Sequence, residues 1–90
     1  MFIVYVLYSP SFSKIYIGYT SNLEERIKSH NKLAKKGWTI KFRPWQIIYI
    51  EEFELKEDAQ LREKELKGAI GREWIWSLIK NKIAEGLISV

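Results

Sequence analysis

Ninety residues carrying 15 Lys or Arg against 11 Asp or Glu, no cysteine and 47% hydrophobic side chains leave room for one small domain, residues 1–90; a chain this short buries only about 60–65% of the surface its unfolded form exposes. The absence of cysteine excludes a disulfide framework, a Cys-based zinc site and thiol chemistry. No run approaches the ~18 uninterrupted apolar residues of a membrane span, and Met1–Tyr8 lacks a signal peptide's basic leader and small-residue cleavage site, so the expectation is a soluble, cytoplasmic protein with a modest net charge of +4.

Residues 2–9 (FIVYVLYS) are β-branched and aromatic, as in a strand covered on both faces. Pro10-Ser11-Phe12-Ser13 supplies turn chemistry and Lys14–Tyr19 resumes as a strand, together an antiparallel hairpin. Alternation puts Lys14, Tyr16 and Gly18 on the more polar face of that second strand, and Ile15, Ile17 and Tyr19 on the other. Ser21 with Glu24 fits a capping box, predicting a helix from Asn22 to Lys35 or Lys36 that Gly37 stops. Its apolar stripe is Leu23, Ile27, His30 and Ala34, with Arg26 at the margin. After a connector, Gly37–Pro44, the segment Trp45–Phe53 reads as a third strand.

Lys56–Lys67 reads as a second helix, closed near Gly68 or Gly71, with a stripe of Ala59, Leu66 and Ile70. A third helix is predicted from about Arg72, its core face formed by Trp74, Ile75, Leu78, Ile79, Lys82 and Ile83. Trp76 falls off that stripe, and partial burial against the third helix is expected for it. The order is ββαβαα: an α+β fold, a small three-stranded antiparallel sheet flanked by helices.

Charge is unevenly spread. Residues 1–50 hold eight bases against two acids, whereas residues 51–90 hold seven against nine. Seven bases and no acid fall between Arg26 and Arg43, with Trp38, Phe42 and Trp45 among or just beyond them. Phosphate contacts combined with aromatic stacking are how proteins hold nucleic acid strands; the alternative is a solvated basic loop.

Arg26 and His30 on the first helix, and Glu63 inside the stripe of the second, break the apolar pattern. Polar groups so placed need partners. For Glu63 the structural explanation is an ion pair, with Lys67 one turn on or with Arg26 across helices. Alternatively these residues converge with Tyr5 and Tyr16 on one sheet face. Glu63 is then a hard oxygen ligand for one Mg²⁺ or Mn²⁺, Arg26 a fork of donors for a phosphate, and the phenols and imidazole proton donors and acceptors. Those are parts for metal-assisted displacement at a phosphodiester.

The pair Val4-Tyr5-Val6 and Tyr16-Ile17-Gly18 resembles the motif of the GIY-YIG nuclease superfamily. Asn22-Leu23-Glu24-Glu25-Arg26 looks like that family's NLxxR segment, and His30-Asn31 closes the helix as in its small stand-alone, UvrC N-terminal-like members. Lys41–Glu52 is similar to the family's basic loop and third strand, and Ala59–Lys67 to its AxxxExxLK helix. The resemblance spans about residues 2–79 and implies a metal-dependent DNA endonuclease acting in DNA repair or processing. Glu63 would be the one protein ligand to the metal, Tyr5 and Tyr16 would line the site, Arg26 would hold the scissile phosphate, and His30 would assist proton transfer. Lys14, Lys28, Lys32, Lys35, Lys36, Lys41 and Arg43 would contact DNA. The general base stays open among Tyr5, Tyr16 and His30. Positions 3–5 read Ile-Val-Tyr without the first glycine, and Tyr19 stands where excision relatives have lysine. A domain this small implies further DNA-binding surface, from a homodimer or a separate targeting partner. The competing reading is a DNA-binding module of the same fold with weak or no catalysis.

Overall fold

A computed structural model describes residues 1–88. Strands β1 (Phe2–Ser9) and β2 (Lys14–Thr20) form the hairpin, followed by α1 (Leu23–Lys28), β3 (Gln46–Phe53), α2 (Lys56–Lys67) and α3 (Ala69–Ala84). The antiparallel sheet has the order β2-β1-β3. Central β1 is covered on both faces, so it reads as an unbroken apolar run, with Val4–Ser9 all buried.

The two faces do different work. Val4, Val6, Tyr8, Ile15 and Ile17 pack with Ala59 and Leu66 of α2 and Ile75 and Ile79 of α3, forming the main core. On the opposite face Tyr5, Leu7 and Trp45 pack with Tyr16, Leu23, Ile27 and Phe42. The alternation read from β2 is therefore the one observed.

Several boundaries move. Asn22, not Ser21, caps α1: its Oδ1 accepts from Glu25 N–H at 3.1 Å, while its own N–H donates to Thr20 Oγ1. Glu25 accepts from Asn22 Nδ2 at 3.3 Å rather than from the Asn22 backbone N–H, so the expected Ser21–Glu24 capping box is replaced by an Asn22 cap one residue later, without the box's reciprocal backbone bond. Regular α1 is only six residues long. It widens into a π-type turn, Ser29–Leu33, closed by Ala34 N–H donating to Ser29 O, so the helix ends before Lys35. Gly37 does not stop it; at φ 117° it leads into a 3₁₀ turn, Trp38–Phe42. The third strand opens at Gln46, because Trp45 N–H and C=O are held by the side chain of Asn31 rather than by the ladder.

Helix α2 spans the residues read from the sequence, and Gly68 ends it. Helix α3, however, starts at Ala69, one turn earlier than Arg72. Gly71 lies in its first turn, where a Cβ would fall onto the Glu65 carbonyl and Leu66 Cα, so glycine there allows the two helices to meet closely. The break at Gly68 resets the helical phase, leaving Ile70 85% exposed instead of on the α2 stripe. Trp74 is also not a core residue: it is 42% exposed and meets Tyr49 edge-on, with ring centroids 5.0 Å apart.

Candidate active site

Tyr5 and Gly18 are directly paired across β1 and β2, and Leu7 is paired with Tyr16. The first pairing decides what position 18 can be. A Cβ on Gly18 would lie 2.7 Å from Tyr5 Oη and 2.9 Å from its Cζ, inside van der Waals contact. The absence of a side chain at Gly18 lets the Tyr5 phenol lie across β2 toward α1.

There Tyr5 Oη lies 3.0 Å from His30 Nε2 and accepts from Arg26 Nε–H at 3.4 Å. His30 Nδ1 lies 3.1 Å from Thr39 Oγ1 in the 3₁₀ turn. One assignment gives each proton a partner: Tyr5 O–H donates to Nε2, and Nδ1–H donates to Thr39. Tyr16 stacks on Tyr5 with centroids 6.1 Å apart and meets the His30 ring at 4.6 Å. Four of the five expected catalytic residues thus form one cluster, drawn from β1, β2, α1 and the π-type turn.

Burial sets the protonation of this cluster. Tyr5 is 1% exposed, and loss of solvent pushes its pKa from 10.0 up to about 12 despite the opposing Arg26 hydrogen bond. Burial, reinforced by Arg26 and Arg43, lowers His30 from 6.5 to about 4. Near neutral pH both are therefore uncharged. The hydrogen bond to Tyr5, then the neighbouring Tyr16 phenol, push the Arg26 guanidinium's pKa further up, so it stays a cation beside the two phenols. Tyr16 is only partly buried and lines two neighbouring clefts. It is the site tyrosine that opens to solvent.

Glu63 stands apart from these four. Its carboxylate accepts from Lys67 Nζ at 3.2 Å and is 20% exposed. The ion pair with Lys67 is the one formed; none joins it to Arg26. Its placement follows from α2, which packs along β2: Gln60 Nε2 donates to Tyr19 Oη at 3.1 Å, and Lys67 lines the same cleft as Tyr16. Glu63, three residues from one and four from the other, shares that helix face. Among the described residues no three His, Cys, Asp or Glu side chains gather into a metal cage. A single carboxylate is the kind of hard oxygen donor Mg²⁺ takes, with water and phosphate oxygens filling the rest of its shell, but here Lys67 holds it, and a metal would have to displace that ammonium.

The expected DNA-contacting bases divide. Lys28, Lys32, Lys35, Lys36 and Lys41 are exposed, Lys28 pairing with Glu24 at 3.5 Å. Lys14 Nζ lies 5.7 Å from the Phe42 ring centroid. Arg43 is committed elsewhere, donating to the carbonyls of His30 (2.6 Å), Ser29 (3.0 Å) and Ala34 (2.7 Å). It caps the π-type turn that carries His30. Sequence reasoning missed this clasp, the Asn31–Trp45 pair and Thr39, because no periodicity marks a 3₁₀ turn or a partner nine to fourteen residues away.

The model of the GIY-YIG catalytic domain matches residues 1–74. The chain belongs to the GIY-YIG family. Its relatives include a UPF0213 protein of Clostridium perfringens, 42% identical over 64 residues, covering 71% of this chain and 68% of that one. Another, the UPF0213 protein in the ldhD 5′ region of Pediococcus acidilactici, is 36% identical over 84 residues, covering 91% and 85%. The solution NMR structure of a UPF0213 protein from Bacillus halodurans has the same fold, with a TM-score of 0.52 and 28% identity over 87% of this chain and 85% of that one. GIY-YIG is a nuclease family that acts on DNA and generally uses a divalent metal. Among the described residues, no helix is long and apolar enough to cross a membrane.

Proposed function

We propose that this GIY-YIG domain is a DNA endonuclease that hydrolyses a phosphodiester by in-line attack of water, assisted by one Mg²⁺ or Mn²⁺ on Glu63. The observation that carries this reading is the cluster of Tyr5, Tyr16, Arg26 and His30, whose only solvent-facing phenol lines two adjoining clefts. Arg26, a permanent cation beside Tyr16, holds the scissile phosphate and stabilises the charge that develops on it. Tyr16 contacts the attacking water. Tyr5, kept protonated by a pKa near 12, has no phenolate free to take a proton and instead fixes His30 and Arg26 in place. The metal, when bound, supplies positive charge at the phosphate and acidifies water. Cleavage of this kind would serve DNA repair or processing, with targeting supplied by a second copy or a separate partner.

The second reading, a DNA-binding module with weak or no turnover, is favoured by one observation: Lys67 already occupies the Glu63 carboxylate. Supercoiled plasmid separates the two. The endonuclease converts it to nicked circles with Mg²⁺ or Mn²⁺ and stops on Tyr16→Phe. Binding without nicking under both metals would support the module instead.

A further inference from the structure

The two clefts that Tyr16 lines also share Trp38. On one side lie Arg26, His30 and Lys36. On the other, a cleft of about 510 Å³ runs along the free edge of β2 and is lined by Lys14, Lys67, Arg72 and Trp76. Lys67 and Arg72 come from the acidic half of the chain, so the charge distribution gave no hint of cations here.

Three features make this a place for a polyanion. It gathers three cations from β2, α2 and α3, and among the described residues neither Lys14 nor Arg72 has a carboxylate partner. Arg72 spends only Nε on the chain, donating to Lys67 O at 3.1 Å. Its remaining guanidinium donors suit a phosphate. Trp38 and Trp76 remain 48% and 39% exposed, and both line this cleft. Flat apolar walls beside cations match the alternation of sugar or base with phosphate along a strand. Strand β2 is seven residues long, about 23 Å at ~3.3 Å per residue. At 3.4 Å per nucleotide that edge spans roughly seven nucleotides of one strand.

We infer that the Lys14–Lys67–Arg72 cleft is a second phosphate-binding subsite. It holds the substrate strand across Tyr16 from Arg26, with Trp38 and Trp76 packed against the sugar–base side. This rests on the nuclease reading and fixes the path of the strand along the β2 edge. The exposed lysines on the outside of α1 and its following turn then lie off that path.

The test is fluorescence anisotropy of a labelled 20-base-pair DNA duplex, titrated in EDTA from 20 to 200 mM salt so that no cleavage intervenes. Lys14→Ala/Arg72→Ala is compared with Lys28→Ala/Lys32→Ala, which removes the same charge from another face. All four side chains are exposed, and circular dichroism melts check that both variants fold. The expected result for the first pair is at least tenfold weaker binding at low salt and a log–log salt slope shallower by about 1.8, the value for two lost phosphate contacts. The second pair leaves the slope unchanged. The reverse pattern, or equal losses in both, overturns the subsite but leaves the nuclease reading standing. Wild-type protein that binds no DNA at 20 mM salt overturns both. Indole N–H resonances give an independent readout: DNA is expected to shift Trp38 and Trp76 but not Trp74, which sits against β3 at the opposite sheet edge. A Trp74 shift without a Trp76 shift would contradict the proposal.

Discussion

Replacing Gly18 by alanine places a methyl carbon 2.7 Å from Tyr5 Oη, 2.9 Å from its Cζ and 3.1 Å from Tyr16 Cε1. Ordinary contact between carbons is about 3.5–4.0 Å, so the Tyr5 ring must retreat by roughly half an ångström or more. It has little room, being 1% exposed and bound to His30 and Arg26. Overpacking of this sort costs about 1–3 kcal/mol, and losing the Tyr5–His30 hydrogen bond adds about 0.5–1.5 kcal/mol. The sum, about 1.5–4.5 kcal/mol, lowers the melting temperature by at least about 6 °C in a domain of this size. Calorimetry of Gly18→Ala reads that loss. Tyr5→Phe in the same chain removes the nearest atom but leaves Cζ, so it is expected to recover part of the loss, a positive coupling between contacting sites. A Gly18→Ala protein melting within about 2 °C of wild type would refute the idea that the Tyr5 ring demands glycine here.

Acid sensitivity follows from His30. Its pKa falls from 6.5 unfolded to about 4 folded, so between those values the unfolded chain binds a proton that the folded one refuses. Stability is therefore complete above about pH 6.5 and declines as pH falls through the window, by on the order of 3 kcal/mol; His30→Gln is expected to flatten that part of a pH–melting curve. The imidazole tautomer depends on Thr39: ¹⁵N shifts of the one histidine in the chain are expected to show Nδ1–H in wild type and Thr39→Ser, and mixed tautomers in Thr39→Val. Arg43→Ala is expected to cost about 2–4 kcal/mol, because three carbonyls lose a charged donor. Its DNA-binding salt slope stays that of wild type, which anisotropy checks.

Much of the fold was legible where one periodicity ran uninterrupted. The hairpin, β3 and the whole of α2 follow from alternation or a helical stripe bounded by Gly68. Legibility failed where a distant partner or a broken phase intervened. Thr20, Ser21 and Asn22 are all cap residues, and only the Thr20–Asn22 contact selects the third. The end of α1 is set by Arg43 and Asn31 bonding across nine to fourteen residues. Ile70 was misplaced because the stripe was carried through the break at Gly68. At the site, Arg26, His30 and Glu63 were visible as polar groups interrupting apolar stripes, and Tyr5 and Tyr16 through their resemblance to the GIY-YIG motif. Thr39 and the Lys67–Arg72 cleft were not, since they arise from how a 3₁₀ turn and α3 meet the β2 edge.

The proposed function requires this cluster, together with Glu63, to cleave DNA. Plasmid nicking by wild type and Glu63→Ala, with DNA binding measured on the same samples, tests it most directly. The expected result is nicking that needs Mg²⁺ or Mn²⁺ and disappears in Glu63→Ala while binding persists. Undiminished nicking by Glu63→Ala, or none by wild type under either metal, would contradict it.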